Sequence, residues 1–419
     1  MNVLSPDRLR LADHLRAGDH IVLSEAAGEP QTLAELLVSQ RAELQRPRLF
    51  FGVGASTSFQ PEHADHLDFS GTGAAMTYRP LIRAGVMSVV SQHFSDLPRL
   101  LRSGQLRCDV VMIQVSAPNE RGEYSYGLSC DYLRAAMSQA RLVIAEVNDQ
   151  LPQTPCAHPL MAQDIDLAIH TSRPPIEWPA APLGDVEQRI ARQVAELIPD
   201  RATFQMGLGA LPEALCSALV NHRDLGIHSG MLGDGYVDLV ERGVVTNAYK
   251  EVHAGVSVTG VLIGTRRLYQ HVHRQPTLCL HDADITHGAA SLSRLKRFHS
   301  VNSALEVDLT GQVNAEAIGR DFLGTIGGQV DYVRAAVLSE GGRSIIALPS
   351  TARQTSRIVA RLNGPVTTAR SEVDVIVTEH GCAHLRGLSL PQRARALLAI
   401  AAPEHCEILK QEAKTLGLL

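Results

Sequence analysis

The 419-residue sequence predicts an α/β fold with mainly parallel sheets, and two observations support it. Short apolar runs at residues 20–23, 109–115 and 142–147 alternate with helical stretches such as 32–41 and 96–104. The same alternation recurs in the second half, with apolar runs at 202–207, 225–229 and 373–379. Strands that alternate with helices are typical of parallel sheets, because each parallel connection needs a crossover.

A proline-rich stretch, TSRPPIEWPAAPLGD at residues 171–185, divides the chain. Proline removes a backbone donor and cannot continue a helix or a central strand. We therefore predict an N-terminal α/β domain at residues 1–175, a linker at 176–188 and a C-terminal α/β domain at 189–419. A chain of this length also exceeds the usual size of a single core.

The composition restricts the class of protein. Apolar residues make up 45% of the chain and the formal net charge is -5, which disfavours a nucleic-acid partner because such proteins carry a basic face. The N-terminus lacks a signal-peptide pattern and no apolar run reaches 18 residues, so we expect no membrane partner. Seven scattered cysteines without a CxxC pair indicate reduced thiols and a cytoplasmic location.

A glycine-containing turn follows the run at 202–207 and opens a helix. Glycine lets a ligand approach the backbone, and a helix N-terminus offers N–H donors to an anion. The turn is therefore either a cradle for a phosphate or an oxyanion, or an ordinary strand-to-helix turn. The residues concerned are Gln205, Gly207, Leu208, Gly209, Ala210 and Leu211.

Three further segments place polar or glycine residues after apolar runs. His228-Ser229-Gly230 ends one run, Gly327-Gly328 precedes a helix, and Glu379 ends a third run. Carboxyl ends of strands in open α/β sheets face the ligand crevice, so Glu379 is a candidate acid or base. The alternative is that Glu379 is a surface glutamate or caps a helix. Serine hydrolysis is disfavoured because the chain has no G-x-S-x-G elbow.

Histidines are frequent in the second half. We expect His271 and His273 to share a strand face. A zinc site needs three or four ligands, and no carboxylate or cysteine completes such a set, so we expect no metal site.

Together these segments resemble the acetyl-CoA hydrolase/transferase family, most closely its 4-hydroxybutyrate and butyrate CoA-transferase branch. The resemblance covers nearly the whole chain, including SEAAGEPQ at 24–31, the segment 91–131, ARLVIAEVNDQLPQT at 140–154 and TNAYKEVHAGVSVTGVLIGTRRLYQHV at 246–272. It implies two related open α/β domains of the CoA-transferase type. It also implies a homodimer or homotetramer, and coenzyme A as a substrate or product but not as a permanently bound cofactor.

The resemblance further implies roles for individual residues. The turn from Gly207 to Leu211 is expected to bind CoA or the thioester oxygen, and the stretch near Asn302 and Ala304 to line the CoA channel with Gly327 and Gly328. Family members attack an acyl-CoA with a glutamate carboxylate and pass CoA to a carboxylate acceptor through a glutamyl-CoA thioester. Glu379 matches a second glutamate of the family's site.

Two positions depart from the family pattern. The motif that contains the nucleophile is His-Ser-Glu-Met, and here it is His228-Ser229-Gly230-Met231, so the nucleophile position is vacant. His287 stands where the family tends to have asparagine, fifteen residues before Asn302. Glycine has no side chain and cannot form the thioester.

These departures leave three functions open. The first is conversion of an acyl-CoA without a glutamyl intermediate, by hydrolysis with Glu379 or His287 as base, by decarboxylation or by C–C cleavage. The second is CoA transfer through another carboxylate, for which Asp234, Glu251 and Glu379 are candidates. The third is CoA binding without catalysis.

Overall fold

The structure, a computed structural model, describes residues 1–73, 76–179 and 182–419. By their contacts these residues divide into a first unit, residues 1–179 and 258–288, and a second unit, residues 180–257 and 289–419. Residues 180–181 of the predicted linker lie outside the described residues. The predicted α/β fold with mainly parallel sheets is confirmed in both units.

The helices and strands have the following bounds. The helices are α1 Gln31–Gln40, α2 Arg79–Arg83, α3 Leu97–Arg102, α4 Leu133–Met137, α5 Asp185–Glu196, α6 Ala210–Ala218, α7 Gly235–Glu241, α8 Arg266–Val272, α9 Ala283–Thr286, α10 Ala289–Leu292, α11 Gln329–Leu338, α12 Leu390–Leu398 and α13 Cys406–Thr415. The strands are β1 Asn2–Leu4, β2 His20–Leu23, β3 Arg48–Phe51, β4 Asp68–Gly71, β5 Met87–Val89, β6 Val110–Ser116, β7 Leu142–Asn148, β8 Leu167–Thr171, β9 Thr203–Met206, β10 Gly226–Ile227, β11 Met231–Leu232, β12 Ser257–Thr259, β13 Val261–Leu262, β14 Leu278–Leu280, β15 Phe298–Ser303, β16 Glu306–Asp308, β17 Val313–Asn314, β18 Ala317–Ile318, β19 Asp321–Phe322, β20 Arg343–Ala347, β21 Thr351–Ala352, β22 Thr355–Ser356, β23 Ile358–Val359, β24 Val375–Thr378 and β25 Gly381–His384.

The first unit is built on a parallel sheet with the strand order β1-β8-β7-β6-β2-β3-β4-β5. The neighbours β6 and β7 are buried along almost their whole length, as expected for a parallel sheet that is covered on both faces. An apolar core joins side chains of these strands to Leu33 and Leu37 of α1. The near-continuous apolar runs of the sequence are therefore the central strands.

Residues 258–288 pack with the first unit, whereas the sequence-based division put them in a C-terminal domain at 189–419. Hydrogen bonds hold them there. The N–H of Leu262 donates to the carbonyl of Leu128 over 2.8 Å, and that of Ala283 to the carbonyl of Asp131 over 3.0 Å. Because these partners are far apart in sequence, no linear pattern indicates the pairing.

The prediction that His271 and His273 share a strand face is wrong, because His271 lies on helix α8 and His273 follows it. The hydroxyl of Thr265 caps this helix by accepting the N–H of Arg267. The apolar side chains of α8 repeat with helical spacing, which buries Leu268, Tyr269 and Val272.

The second unit is built on a sheet with the order β10-β9-β15-β20-β24-β25. The first five strands are parallel, and only β25 runs antiparallel to its neighbour β24. Helix α6 connects β9 to β10, and α11 precedes β20 and packs on it. A crossover helix runs back against the strand direction, so the N-termini of α6 and α11 lie toward the edge where the strands end. No helix among the described residues is long and apolar enough to cross a membrane.

Glu29 is a buried carboxyl group of the first unit, beyond the end of β2. Burial raises its pKa to about 7, although hydrogen bonds that favour the charged form offset part of this effect. The hydroxyls of Ser56 and Tyr78 donate these hydrogen bonds. The folded unit therefore holds a proton here at a pH where an exposed glutamate is ionised.

We expect the stability of the first unit to fall as the pH rises from 4.5 to Glu29's folded-state pKa of about 7. Folding raises this pKa from 4.5 to about 7, so the stabilisation is complete below pH 4.5 and is lost as the pH rises through 7. The size is on the order of 3 kcal/mol. Glu29→Gln, which cannot ionise, should have a flatter curve of unfolding free energy against pH.

Urea unfolding between pH 4.5 and 8 measures this effect. The fluorescence of Trp178, the chain's single tryptophan, reports on the first unit. Glu62→Gln removes an exposed carboxylate of the same unit and should follow the wild type. A Glu29→Gln curve parallel to the wild type would show that Glu29 does not take up the proton.

Candidate active site

The predicted site residues of the second unit gather at one edge of its sheet. Because β9, β10, β15 and β24 are parallel neighbours within one sheet, their carboxyl ends point to the same side. The residues at or just beyond these ends are Gln205, Gly207, Gly230, Asn302 and Glu379. Segments that lie far apart in the second unit's sequence thus share one edge, which is the usual place of a ligand crevice in open α/β sheets.

The glycine turn leads from β9 into α6. Gly209 has a φ of 118° and precedes the helix, a conformation that side-chain-bearing residues rarely adopt. No heavy atom lies within 4 Å of the position that a Cβ would take at Gly207 or Gly209. Leu208 is half-buried, and Ala210 and Leu211 begin the helix with N–H groups that have no partner inside it. The backbone of this turn is therefore open to a ligand.

Gln205 and Asn302 form an amide pair across the neighbouring strands β9 and β15. The side-chain nitrogen of Asn302 donates to Oε1 of Gln205 over 3.1 Å, and that of Gln205 to Oδ1 of Asn302 over 3.3 Å. Gln205 is buried and Asn302 is half-buried. The structure thus brings together two predicted residues that are far apart in sequence.

Gly230 is buried in the turn between β10 and β11. The preceding Ser229 fixes this turn, because its hydroxyl oxygen lies 2.9 Å from the carbonyl oxygen of Met206 and 3.0 Å from that of Met231. Met206 directly precedes Gly207, so this serine connects the Gly230 turn to the start of the glycine turn.

Glu379 directly follows β24, and its side chain is only 6% exposed. The N–H of Ser350 donates to Oε2 over 2.8 Å, and the hydroxyl of the same residue to Oε1 over 2.7 Å. Its neighbour His380 lies 3.8 Å from Oε1, beyond hydrogen-bonding distance. The carboxylate is thus held in one orientation as a hydrogen-bond acceptor.

The remaining predicted residues of the second unit lie in the connections around this edge. Ala304 is half-buried in the turn from β15 to β16. The carbonyl of Leu305, which follows Ala304, accepts a hydrogen bond from the Arg357 side chain over 2.6 Å. Gly327 has a φ of 55° and Gly328 precedes α11. The N-terminus of that helix therefore lies toward the same edge.

His287 belongs to the first unit, where it ends helix α9. Its ring lies 4.8 Å from that of Phe94, and its Nδ1 is 2.8 Å from the hydroxyl of Thr286. Burial lowers its pKa to about 3, so the imidazole is neutral at physiological pH. A group with such a low pKa is a weak general base.

Two groups near the edge were missed by the sequence-based prediction. Lys250 is buried, and its ammonium donates to the carbonyls of Ile227 and Val256, each over 2.7 Å. Burial alone lowers its pKa to about 7. Glu213, in the first turn of α6, has a pKa raised to about 7 by burial and by the charge of Asp234. The only sequence signal for Lys250 was its place in the segment 246–272.

A serine after β20 was also missed. Ser350 holds Glu379, but it lies within ALPST, which read as the ordinary end of an apolar strand. Among the described residues, no group of three or more histidine, cysteine, aspartate or glutamate side chains is arranged to hold a metal ion.

Comparisons with known proteins agree with this architecture. One family model, the acetyl-CoA hydrolase/transferase N-terminal domain, matches residues 6–173, and that of the C-terminal domain matches residues 264–413. The 4-hydroxybutyrate coenzyme A transferase of Clostridium kluyveri is 38% identical over 400 residues, which cover 94% of this chain and 93% of that protein. The chain belongs to the acetyl-CoA hydrolase/transferase family.

Solved structures support the family assignment. The crystal structure of RipA from Yersinia pestis matches this chain with a TM-score of 0.93 and 32% sequence identity. The match covers 100% of this chain and 98% of the RipA chain. The structure of the 4-hydroxybutyrate CoA-transferase of Porphyromonas gingivalis matches this chain with a TM-score of 0.82 and 33% sequence identity. The match covers 99% of this chain and 97% of the transferase. Enzymes of this family are CoA-transferases and acetyl-CoA hydrolases. The prediction of an enzyme of this family, with the reaction type left open, is therefore confirmed.

We expect the stability of the second unit to rise with pH above neutrality because of Lys250. Folding lowers its pKa from 10.5 to about 7, so the stabilisation is present above pH 10.5 and is lost as the pH falls through 7. The upper limit is on the order of 5 kcal/mol. Lys250→Met should remove this slope.

Urea unfolding between pH 7 and 10, monitored by circular dichroism, measures this slope of unfolding free energy against pH. Lys410→Met, which removes an exposed lysine of the same unit, should keep the slope of the wild type. A slope that persists in Lys250→Met would show that the buried amine stays protonated throughout this range.

Proposed function

We propose that this chain hydrolyses an acyl-CoA thioester without a glutamyl-CoA intermediate. What carries the proposal is Gly230, which stands in His228-Ser229-Gly230-Met231 where the family resemblance implies a nucleophilic glutamate. Glycine has no carboxylate, so the covalent route is closed at this position. Water is the simplest nucleophile that can replace it.

Glu379 is the proposed general base. The oxygen of water attacks the thioester carbonyl carbon while Glu379 accepts its proton, and the resulting tetrahedral oxyanion expels the CoA thiolate. The products are a carboxylic acid, which loses its proton to solvent to give the carboxylate, and CoA, whose thiolate takes the proton held by Glu379. The orientation of Glu379 by Ser350 supports this role, because a base must be aligned with the proton it takes. His287 is less suitable because its pKa is about 3.

The glycine turn is the proposed binding element for CoA or the thioester oxygen. Open space at Gly207 and Gly209 and the free N–H groups at the start of α6 support this assignment. N–H donors directed at a developing oxyanion stabilise it more strongly than they stabilise the ground-state carbonyl. Gln205, Asn302, Ala304, Gly327 and Gly328 are the proposed lining of the CoA channel.

CoA transfer through another carboxylate is the second candidate, because relatives such as that of Clostridium kluyveri are named as CoA-transferases. Asp234, Glu251 and Glu379 are the available acids. Glu251 is exposed and accepts the N–H of Lys296 over 3.0 Å, and Asp234 lies near Glu213. We further propose a homodimer or homotetramer in the cytoplasm, which light scattering after size exclusion and localisation of the tagged protein would test.

A variant at Gly230 separates the two functions. Wild type should release free CoA from a panel of acyl-CoAs at a rate independent of added carboxylates. Gly230→Glu should gain transfer to an acceptor carboxylate, because the nucleophile is restored, and Gly230→Gln should not, because its amide has a similar size but forms no thioester. Mass spectrometry of the products distinguishes hydrolysis, transfer, decarboxylation and C–C cleavage.

Two outcomes would contradict hydrolysis. Acceptor-dependent transfer by the wild type, with one carboxylate labelled by borohydride reduction, would establish the second candidate. Binding of CoA in calorimetry without turnover of any acyl-CoA in the panel would instead indicate a CoA-binding protein without catalysis.

A second test addresses the glycine turn. Gly207→Val places a side chain in space that no protein atom occupies. It should therefore weaken CoA binding about tenfold or more, equivalent to about 1.4 kcal/mol. The unfolding free energy should change by no more than about 0.5 kcal/mol. Isothermal titration with CoA and thermal unfolding measure the two quantities.

Gly209→Ala is the contrasting variant, because a φ of 118° is strained for alanine and should lower stability itself. Unchanged CoA affinity in Gly207→Val would remove this turn from the binding site.

A further inference from the structure

The segment Ser350–Arg357 is a small β-hairpin that ends in the contacts to Glu379. Strands β21 and β22 pair antiparallel, with Thr351 opposite Ser356 and Ala352 opposite Thr355. At the open end, the N–H of Arg357 donates to the carbonyl of Ser350 over 2.8 Å. The two turn residues, Arg353 and Gln354, have φ values of 47° and 69°, as a tight primed turn requires. The hairpin is therefore a defined element and not an irregular loop.

Each end of this hairpin contacts a different part of the candidate site. Ser350, 1% exposed, donates its N–H and its hydroxyl to the two oxygens of Glu379. Arg357 donates to the carbonyl of Leu305, which follows the stretch from Asn302 to Ala304. Among the described residues, the hydrogen bonds to the Glu379 carboxylate come from Ser350 alone.

We infer that Ser350 is a positioning residue that fixes the carboxylate of Glu379 for catalysis, and that the hairpin 350–357 connects this carboxylate to the CoA-lining stretch 302–305. A carboxylate held at both oxygens by one residue cannot rotate about its terminal bond without breaking a hydrogen bond. This inference rests on the proposed role of Glu379 as the base.

A double-mutant cycle with Glu379→Gln tests the inference. Ser350→Ala removes the hydroxyl but keeps the backbone N–H. It should lower kcat about tenfold with little change in KM, and should move the acidic limb of the pH–rate profile to higher pH, because a donor to the charged carboxylate is lost. In the Glu379→Gln background the same substitution should change the remaining rate less than about twofold, since the group it positions is gone.

Two controls separate positioning from a structural role. Ser350→Thr keeps the hydroxyl and should restore the pH profile of the wild type. Ser344→Ala, at a fully buried serine of β20 without contact to Glu379, should leave the profile unchanged. Thermal unfolding of each variant confirms that it is folded. An equal loss from Ser350→Ala in both backgrounds, without a change of the pH profile, would overturn the inference.

The test remains decisive if the wild type turns over no acyl-CoA, an outcome that would refute the proposed function. Infrared difference spectra between the wild type and Glu379→Gln isolate the carboxylate bands of Glu379. These bands should shift in the Ser350→Ala background, because their frequency depends on hydrogen bonding to the two oxygens. Unshifted bands would overturn the Ser350 assignment by themselves.

Discussion

The parallel hydrogen-bond ladder of the second unit, β10-β9-β15-β20-β24, is the constraint on which the candidate site depends. A parallel arrangement brings all strand ends to one side, so each connection begins at the same edge. The glycine turn, the Gly230 turn, the amide of Asn302, Ser350 and Glu379 lie there for this reason alone. Hydrogen bonds then fix the local conformation of these segments. An example is the Ser229 hydroxyl, which lies between the carbonyls of Met206 and Met231.

The chain keeps several ionisable groups in environments that disfavour their charge. Glu29, Glu213 and Lys250 all have pKa values near 7, in each case with burial as the largest cause. Burial of an ionisable group is unfavourable unless hydrogen bonds compensate. Lys250 is compensated by the carbonyls of Ile227 and Val256, which accept hydrogen bonds from its ammonium. Two donors from one residue, Ser350, hold the carboxylate of Glu379 at the sheet edge.

The proposed chemistry depends on the absence of a side chain at Gly230 and on the hydrogen-bonded strands and turns around it. The family resemblance implies a covalent glutamate nucleophile at this position, and the proposed reaction proceeds without that step because Gly230 has no side chain. The backbone donors, the amide pair and the second carboxylate do not depend on it structurally, since strand pairing and the Ser350 contacts hold them. A water-based reaction needs these same elements: a cradle for the thioester, an oxyanion stabiliser and an oriented base.

The sequence by itself determined the fold class, the family and the candidate residues of the second unit. Apolar periodicity depends on neighbouring residues in the chain, so β2, β6, β7 and helix α1 were readable near their true bounds. Only the tertiary structure decided that residues 258–288 pack with the first unit, that α8 is a helix, that Ser350 contacts Glu379 and that Lys250 contacts the carbonyl of Ile227. These features arise from contacts between residues distant in sequence, and burial sets the pKa values of Lys250 and His287. A linear pattern contains neither kind of information.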